Sequence, residues 1–96
     1  MEFQREPGRI FALDEQGKVL AEVTFPTGED GVAEINHTYV DPAFRGKGIA
    51  NQLLREAAET LRGEGKKARL ICSYAVTWFQ EHPEYGELVA SCRKEQ

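Results

Sequence analysis

Two kinds of hydrophobic spacing divide this chain. In residues 18–25, Val19, Ala21, Val23 and Phe25 alternate onto one face of an extended strand. In residues 45–61, Ile49, Leu53, Leu54, Ala57, Ala58 and Leu61 recur at helical spacing and form one apolar stripe. Residues 9–13 are a second strand-like run, separated from residues 18–25 by the polar turn Asp14-Glu15-Gln16-Gly17, so an antiparallel hairpin is expected. A short edge strand over residues 2–5 precedes it and is broken by Glu6-Pro7-Gly8. The breakers of residues 26–31 lead into a third main strand, residues 32–40. Strict alternation would put Ile35, His37 and Tyr39 on one of its faces and Glu34, Asn36, Thr38 and Val40 on the other. So many polar groups in a central strand need partners, and one end of it is expected to border a cleft.

After the first helix, Gly63 and Gly65 supply the stop, and residues 68–71 read as a fourth strand. Strand, helix and strand at this spacing predict a right-handed crossover between parallel strands. Residues 73–82 predict a second helix, with Ser73 as its cap, Pro83 as its end, and Ala75, Trp78, Phe79 and His82 sharing a face. Trp78 and Phe79 are read as core. Residues 88–90 are a candidate last strand and residues 91–96 a solvated tail. The expected fold class is α+β: a mixed, mostly antiparallel sheet with one parallel βαβ crossover and two main helices.

Composition narrows the function. Ninety-six residues are expected to make one domain with one modest core. A net charge of −4 argues against nonspecific nucleic-acid binding. No apolar run of membrane-spanning length and no signal peptide stand in the sequence, so a soluble, cytoplasmic protein with no membrane partner is expected. Cys72 and Cys92 fit no zinc spacing, and with His37 and His82 they form no C-x-x-C or H-x-x-x-H pair. No metal site is expected, and both thiols should be reduced.

The chemistry concentrates between the two periods, in Asp41-Pro42-Ala43-Phe44-Arg45-Gly46-Lys47-Gly48-Ile49-Ala50. A strand enters this stretch and a helix leaves it. The free N–H groups and positive dipole of a helix start favour an anion, and glycines let it approach the backbone. The stretch reads as a phosphate or pyrophosphate site; the plain alternative is an ordinary glycine turn before a helix. It is not a P-loop, because Gly46-Lys47 is followed by Gly48 rather than Ser or Thr. Nor is it a dinucleotide fingerprint, because Asn51 stands where the third glycine belongs. Arg45, Gly48 and Ala50 instead resemble the R/Q-x-x-G-x-G/A signature of the GNAT superfamily of acyl-CoA N-acyltransferases.

Candidate reactive residues lie at the carboxyl ends of the strands flanking the first helix, where open α/β sheets place ligands. Cys72 directly precedes the second helix, a position that favours a reactive thiolate; its alternative is a buried structural cysteine. His37 is a candidate general base, set against a hydrogen-bonded histidine within a sheet. Glu34 is a weaker base candidate, and Tyr74 a candidate proton donor to a departing thiolate or a core residue. His37-Thr38-x-Val40, the glycine loop, Cys72-Ser73-Tyr74 and His82-Pro83-Glu84-Tyr85 occur in that order. Together they resemble a minimal branch of the GNAT superfamily, the YidJ-like N-acetyltransferase-domain proteins, closely over residues 32–89 and loosely over the first hairpin.

That resemblance implies a donor, acetyl-CoA, as co-substrate. It implies pyrophosphate contacts for Arg45, Gly46, Lys47, Gly48, Ile49 and Ala50, and pairing of the pantetheine arm with the backbone of Thr38, Tyr39 and Val40. It places Cys72 near the acetyl group, as a proposed catalytic residue, with His37 beside it and Ser73 and Tyr74 at the donor. Full-size members carry helices between their first two strands, whereas Asp14 to Gly17 alone connect them here. The acceptor side should therefore be open, which suits an unidentified amine on a protein or peptide. Two alternatives stand beside the N-acetyltransferase: an acyl-CoA-binding module without turnover, and a thiol protein built on Cys72.

Overall fold

The computed structural model describes residues 1–92. β1 (Gln4–Glu6), β2 (Arg9–Leu13), β3 (Val19–Thr24) and β5 (His37–Val40) form an antiparallel sheet in the order β1-β2-β3-β5. β4 (Ala33–Ile35), β6 (Ala68–Leu70) and β7 (Val89–Cys92) form a second sheet, parallel throughout, in the order β4-β6-β7. Two helices connect its strands: α1 (Ile49–Glu64) between β5 and β6, and α2 (Ser73–Glu81) between β6 and β7. The fold is thus α+β, with an antiparallel hairpin region, a parallel crossover through α1 and two main helices. The last strand, paired with β6, adds a second parallel pair, and it takes in Ser91 and Cys92, which were expected to lie in a solvated tail. The rest of that expected tail, residues 93–96, lies outside the described residues.

The two sheets arise from one interrupted strand. Glu34 N–H donates to the Pro26 carbonyl and Asn36 N–H to the Thr24 carbonyl, yet Thr24 is also the antiparallel partner of His37. Asn36 and His37 therefore both stand opposite Thr24, which is the geometry of a β-bulge. The extra residue inverts the alternation. Ile35 faces the core, and Thr38 and Val40 follow it there, beside buried Val23 and Ala21. His37 and Tyr39 turn to the opposite face with Glu22 and Thr24. The expectation that Ile35, His37 and Tyr39 share a face is therefore corrected: a period of two holds only within a strand that has no bulge.

α1 covers the inner face of β2, β3 and β5, burying Leu53, Leu54, Ala57, Ala58 and Leu61 against Ile10, Ala21 and Val23. Burial of each leucine contributes about 1.5–3 kcal/mol. The helix starts at Ile49 rather than Arg45, because Gly46 and Gly48 have φ of 81° and 77°, outside helical geometry. It runs through Gly63 and stops at Gly65, where Gly65 N–H returns to the Arg62 carbonyl and Lys66 N–H to that of Leu61. α2 packs beside α1, with Trp78 Nε1–H donating to Asn51 Oδ1 at 2.6 Å. Trp78 and Phe79 are core, as expected.

Candidate functional site

The bulge opens the site. The Ile35 carbonyl accepts from both Ile71 N–H (3.0 Å) and Cys72 N–H (2.9 Å), and β6 pairs no further along the interrupted strand than Leu70 opposite Ile35. Beyond that point the β5 edge away from β3 has no strand beside it. Asp41 N–H donates to the Leu20 carbonyl at 2.7 Å, which fixes the antiparallel phase. Residues 39 and 41 turn their main-chain groups toward β3, and residues 38 and 40 turn theirs into the gap. The Val40 carbonyl confirms this phase, for it accepts from Arg45 Nε–H at 2.9 Å.

The loop between β5 and α1 has a fixed half and an open half. Asp41 is buried, and its Oδ1 accepts from Ala43 N–H at 2.9 Å, capping a 3-10 turn over Pro42–Phe44. The Ala43 N–H and the Lys18 ammonium, 3.1 Å from Asp41 Oδ2, hold the Asp41 carboxyl below its ordinary range. The open half carries the two left-handed glycines. A Cβ added at Gly46 or Gly48 would meet nothing within 4 Å. Gly48 is the N-cap of α1 and provides no side-chain cap, so the first helical amides lack an intrahelical partner at the mouth of the loop.

Edge and loop enclose a cleft of about 440 Å³. Thr38, Tyr39 and Val40 line one wall, Arg45, Gly46, Gly48, Ile49 and Ala50 the other, with Tyr74 at its margin. Phe44 also lines it. Within the stretch 41–50, sequence alone assigned no contact to Phe44 and no anchoring role to Asp41, although an Asp-Pro pair before a turn is a recognisable cap and an apolar residue in a polar loop asks for a partner. Lys47 stands on the loop but not on the cleft wall, with Nζ 5.8 Å from the Phe44 ring centre.

The remaining candidates separate. Cys72, not Ser73, occupies the N-cap of α2, and Ser73 is its exposed first residue. The half-buried Cys72 Sγ–H points to Thr38 Oγ1 at 3.7 Å. His37 does not stand beside it: the bulge turns the imidazole to the other face of β5, where Nε2 lies 3.3 Å from Glu22 Oε1. Glu22 also pairs with Arg9, whose guanidinium carbon lies 3.7 Å over the centre of the Phe11 ring. No helix intervenes between β2 and β3, and the His37 side chain is about half exposed on that face, at 51%. Glu34 is held by Arg69, at 2.9 Å.

Comparison with known proteins places this geometry. The family model of GCN5-related N-acetyl-transferases matches residues 9–88. Among curated relatives, Protein NATD1 of Xenopus tropicalis is 40% identical over 50 residues, covering 52% of this chain and 46% of its own. Protein NATD1 of Homo sapiens is 36% identical over 52 residues, covering 54% and 46%. The chain thus matches about half the length of these relatives. A GCN5-like protein from Staphylococcus aureus, solved by NMR, superposes with a TM-score of 0.78 over 99% of this chain and 93% of its own, at 22% identity. A chain from Bacillus anthracis solved in complex with acetyl coenzyme A superposes with a TM-score of 0.56 over 81% of this chain and 48% of its own, at 19% identity. With the family model running from β2 to the segment just before β7, through both helices and the glycine loop, the chain belongs to the GCN5-related N-acetyltransferase family.

Proposed function

We propose that this chain transfers the acetyl group of acetyl-CoA to a primary amine, with proteins and peptides as the acceptor class to test first. The observation that carries this is the pairing of an unaccompanied strand edge with an open glycine loop across one cleft. The main-chain groups of Thr38 and the Val40 N–H, which have no strand beside them, suit an amide-bearing pantetheine arm, and the amides of Gly46 to Ala50 suit a pyrophosphate. The family membership supports an acyl-CoA donor, as does the acetyl coenzyme A bound in the Bacillus anthracis chain.

In this reading the amine enters from the uncovered face, through the gap between β5 and β6. His37, oriented by Glu22, takes the proton as the nitrogen attacks the thioester carbonyl. The carbon–nitrogen bond forms, the carbon–sulfur bond breaks, and the Tyr74 hydroxyl at the cleft margin protonates the departing thiolate. Cys72 lines the strand edge without forming an acetyl-enzyme. The only hydrogen-bond partner of its thiol among the described residues is the Thr38 hydroxyl, so no base activates it, and direct attack needs only positioning and proton removal.

Mass spectrometry after incubation with acetyl-CoA and no acceptor tests this assignment. Direct transfer predicts an unmodified Cys72 and near-complete activity in Cys72→Ala. An acetyl group on Cys72 that moves to added amine would replace it with the covalent route. Binding of acetyl-CoA without acetylation of any amine in a broad acceptor screen would leave a binding module.

A further inference from the structure

Asp41 is the one buried charged residue among the described residues, and it sits at the root of the phosphate loop. Each of its polar groups is engaged: N–H with the Leu20 carbonyl, C=O with Phe44 N–H (2.8 Å), Oδ1 with Ala43 N–H, and Oδ2 with Lys18 Nζ. Lys18 belongs to the short turn between β2 and β3. Asp14 clamps that turn: its Oδ1 accepts from Gln16 N–H (2.8 Å) and Lys18 N–H (2.9 Å), and its own N–H donates to the Lys18 carbonyl (2.9 Å). The backbone of Lys18 is therefore held on both sides while its ammonium crosses to Asp41.

A buried carboxylate under a loop that receives a phosphate is unfavourable unless a cation offsets it. The three-residue 3-10 turn that Asp41 caps is also too short to hold its own shape. We infer that Asp14, Lys18 and Asp41 form a buttress through which the β2–β3 turn sets the geometry of the coenzyme A phosphate loop. Asp14 and Lys18 are positioning residues in it and do not touch the ligand. The inference rests on the reading of the cleft as a coenzyme A site, but the loop geometry is measurable without any ligand.

The test uses the full chain as wild type, Lys18→Met, Lys18→Arg and Asp14→Ala. Lys18 is largely exposed, so its replacement should leave the fold intact. Two quantities are read: coenzyme A affinity by calorimetry, and the amide resonances of Gly46, Lys47 and Gly48 in ligand-free protein. The buttress predicts that Lys18→Met moves those resonances before ligand is added and weakens coenzyme A binding about tenfold, the scale of one charge-assisted hydrogen bond. Lys18→Arg should restore both, and Asp14→Ala should shift both in the same direction as Lys18→Met. Unmoved loop amides in Lys18→Met overturn the inference, whether or not binding weakens. If wild type binds no coenzyme A, the reading of the cleft fails separately; shifted loop amides in Lys18→Met then still support the buttress, and unmoved ones overturn it.

Discussion

Gly48 shows how much a single residue can carry. It caps α1 in the left-handed region, and a methyl group there would meet no neighbour. Gly48→Ala should therefore cost only the backbone term, about 1 kcal/mol in a denaturant titration. A loss several times larger would mean that the loop is packed rather than open. Asp41 makes a second prediction. Its carboxyl is held low first by the Ala43 amide, then by Lys18, with Arg45 also contributing. A depressed carboxyl stabilises the fold above its ordinary range and ceases to do so as pH falls through the lowered value. The melting-temperature gap between wild type and Asp41→Asn should be steady near neutrality and narrow below about pH 4. Asp30, likewise held low by Arg69, is present in both proteins and cancels from the difference. A gap that persists unchanged to pH 2 would show that the carboxylate is not what matters. The residues of the loop were legible because glycine and proline report backbone geometry directly. Lys18 was not, since a long exposed side chain gives no hint of which distant carboxylate it meets.

Among the elements, α1 was the most legible, because thirteen residues of apolar stripe from Ile49 to Leu61 outweigh any local ambiguity. The interrupted strand was the least. Alternation across residues 32–40 looks continuous, and one inserted residue exchanges every side chain beyond it between faces. The only trace of the bulge was an excess of polar groups, which correctly indicated a cleft but paired His37 with the wrong neighbours. Removing Asn36 tests this account. Deletion forces either Ala33 and Ile35 or Thr38 and Val40 off the core face, and should cost more than about 2 kcal/mol or prevent folding. A deletion variant that melts like wild type would show that Asn36 is not the extra residue. The cap of α2 is a smaller case: Ser73 has the preferred side chain, yet the position falls on Cys72, because the peptide after β6 is already committed to the Ile35 carbonyl.

For the whole molecule, a sheet opened by one bulge exposes a strand edge, a glycine loop faces that edge, and a second sheet face stays uncovered. The uncovered face was readable from the short turn Asp14-Glu15-Gln16-Gly17 between β2 and β3, because no helix fits in so short a connection. The width of the gap was not, since it depends on where β6 stops pairing. All of this converges on one claim, that the cleft between β5 and the loop is the donor site. Titration of isotopically labelled protein with acetyl-CoA, followed by amide resonances, tests it most directly. The account predicts saturable shifts largest at Gly46, Gly48, Ile49 and Ala50 on the loop side and at Thr38 and Val40 on the strand side. Saturable binding that leaves those six amides unmoved, or that centres on the smaller pocket around Pro7, Phe25 and Leu61, would contradict it.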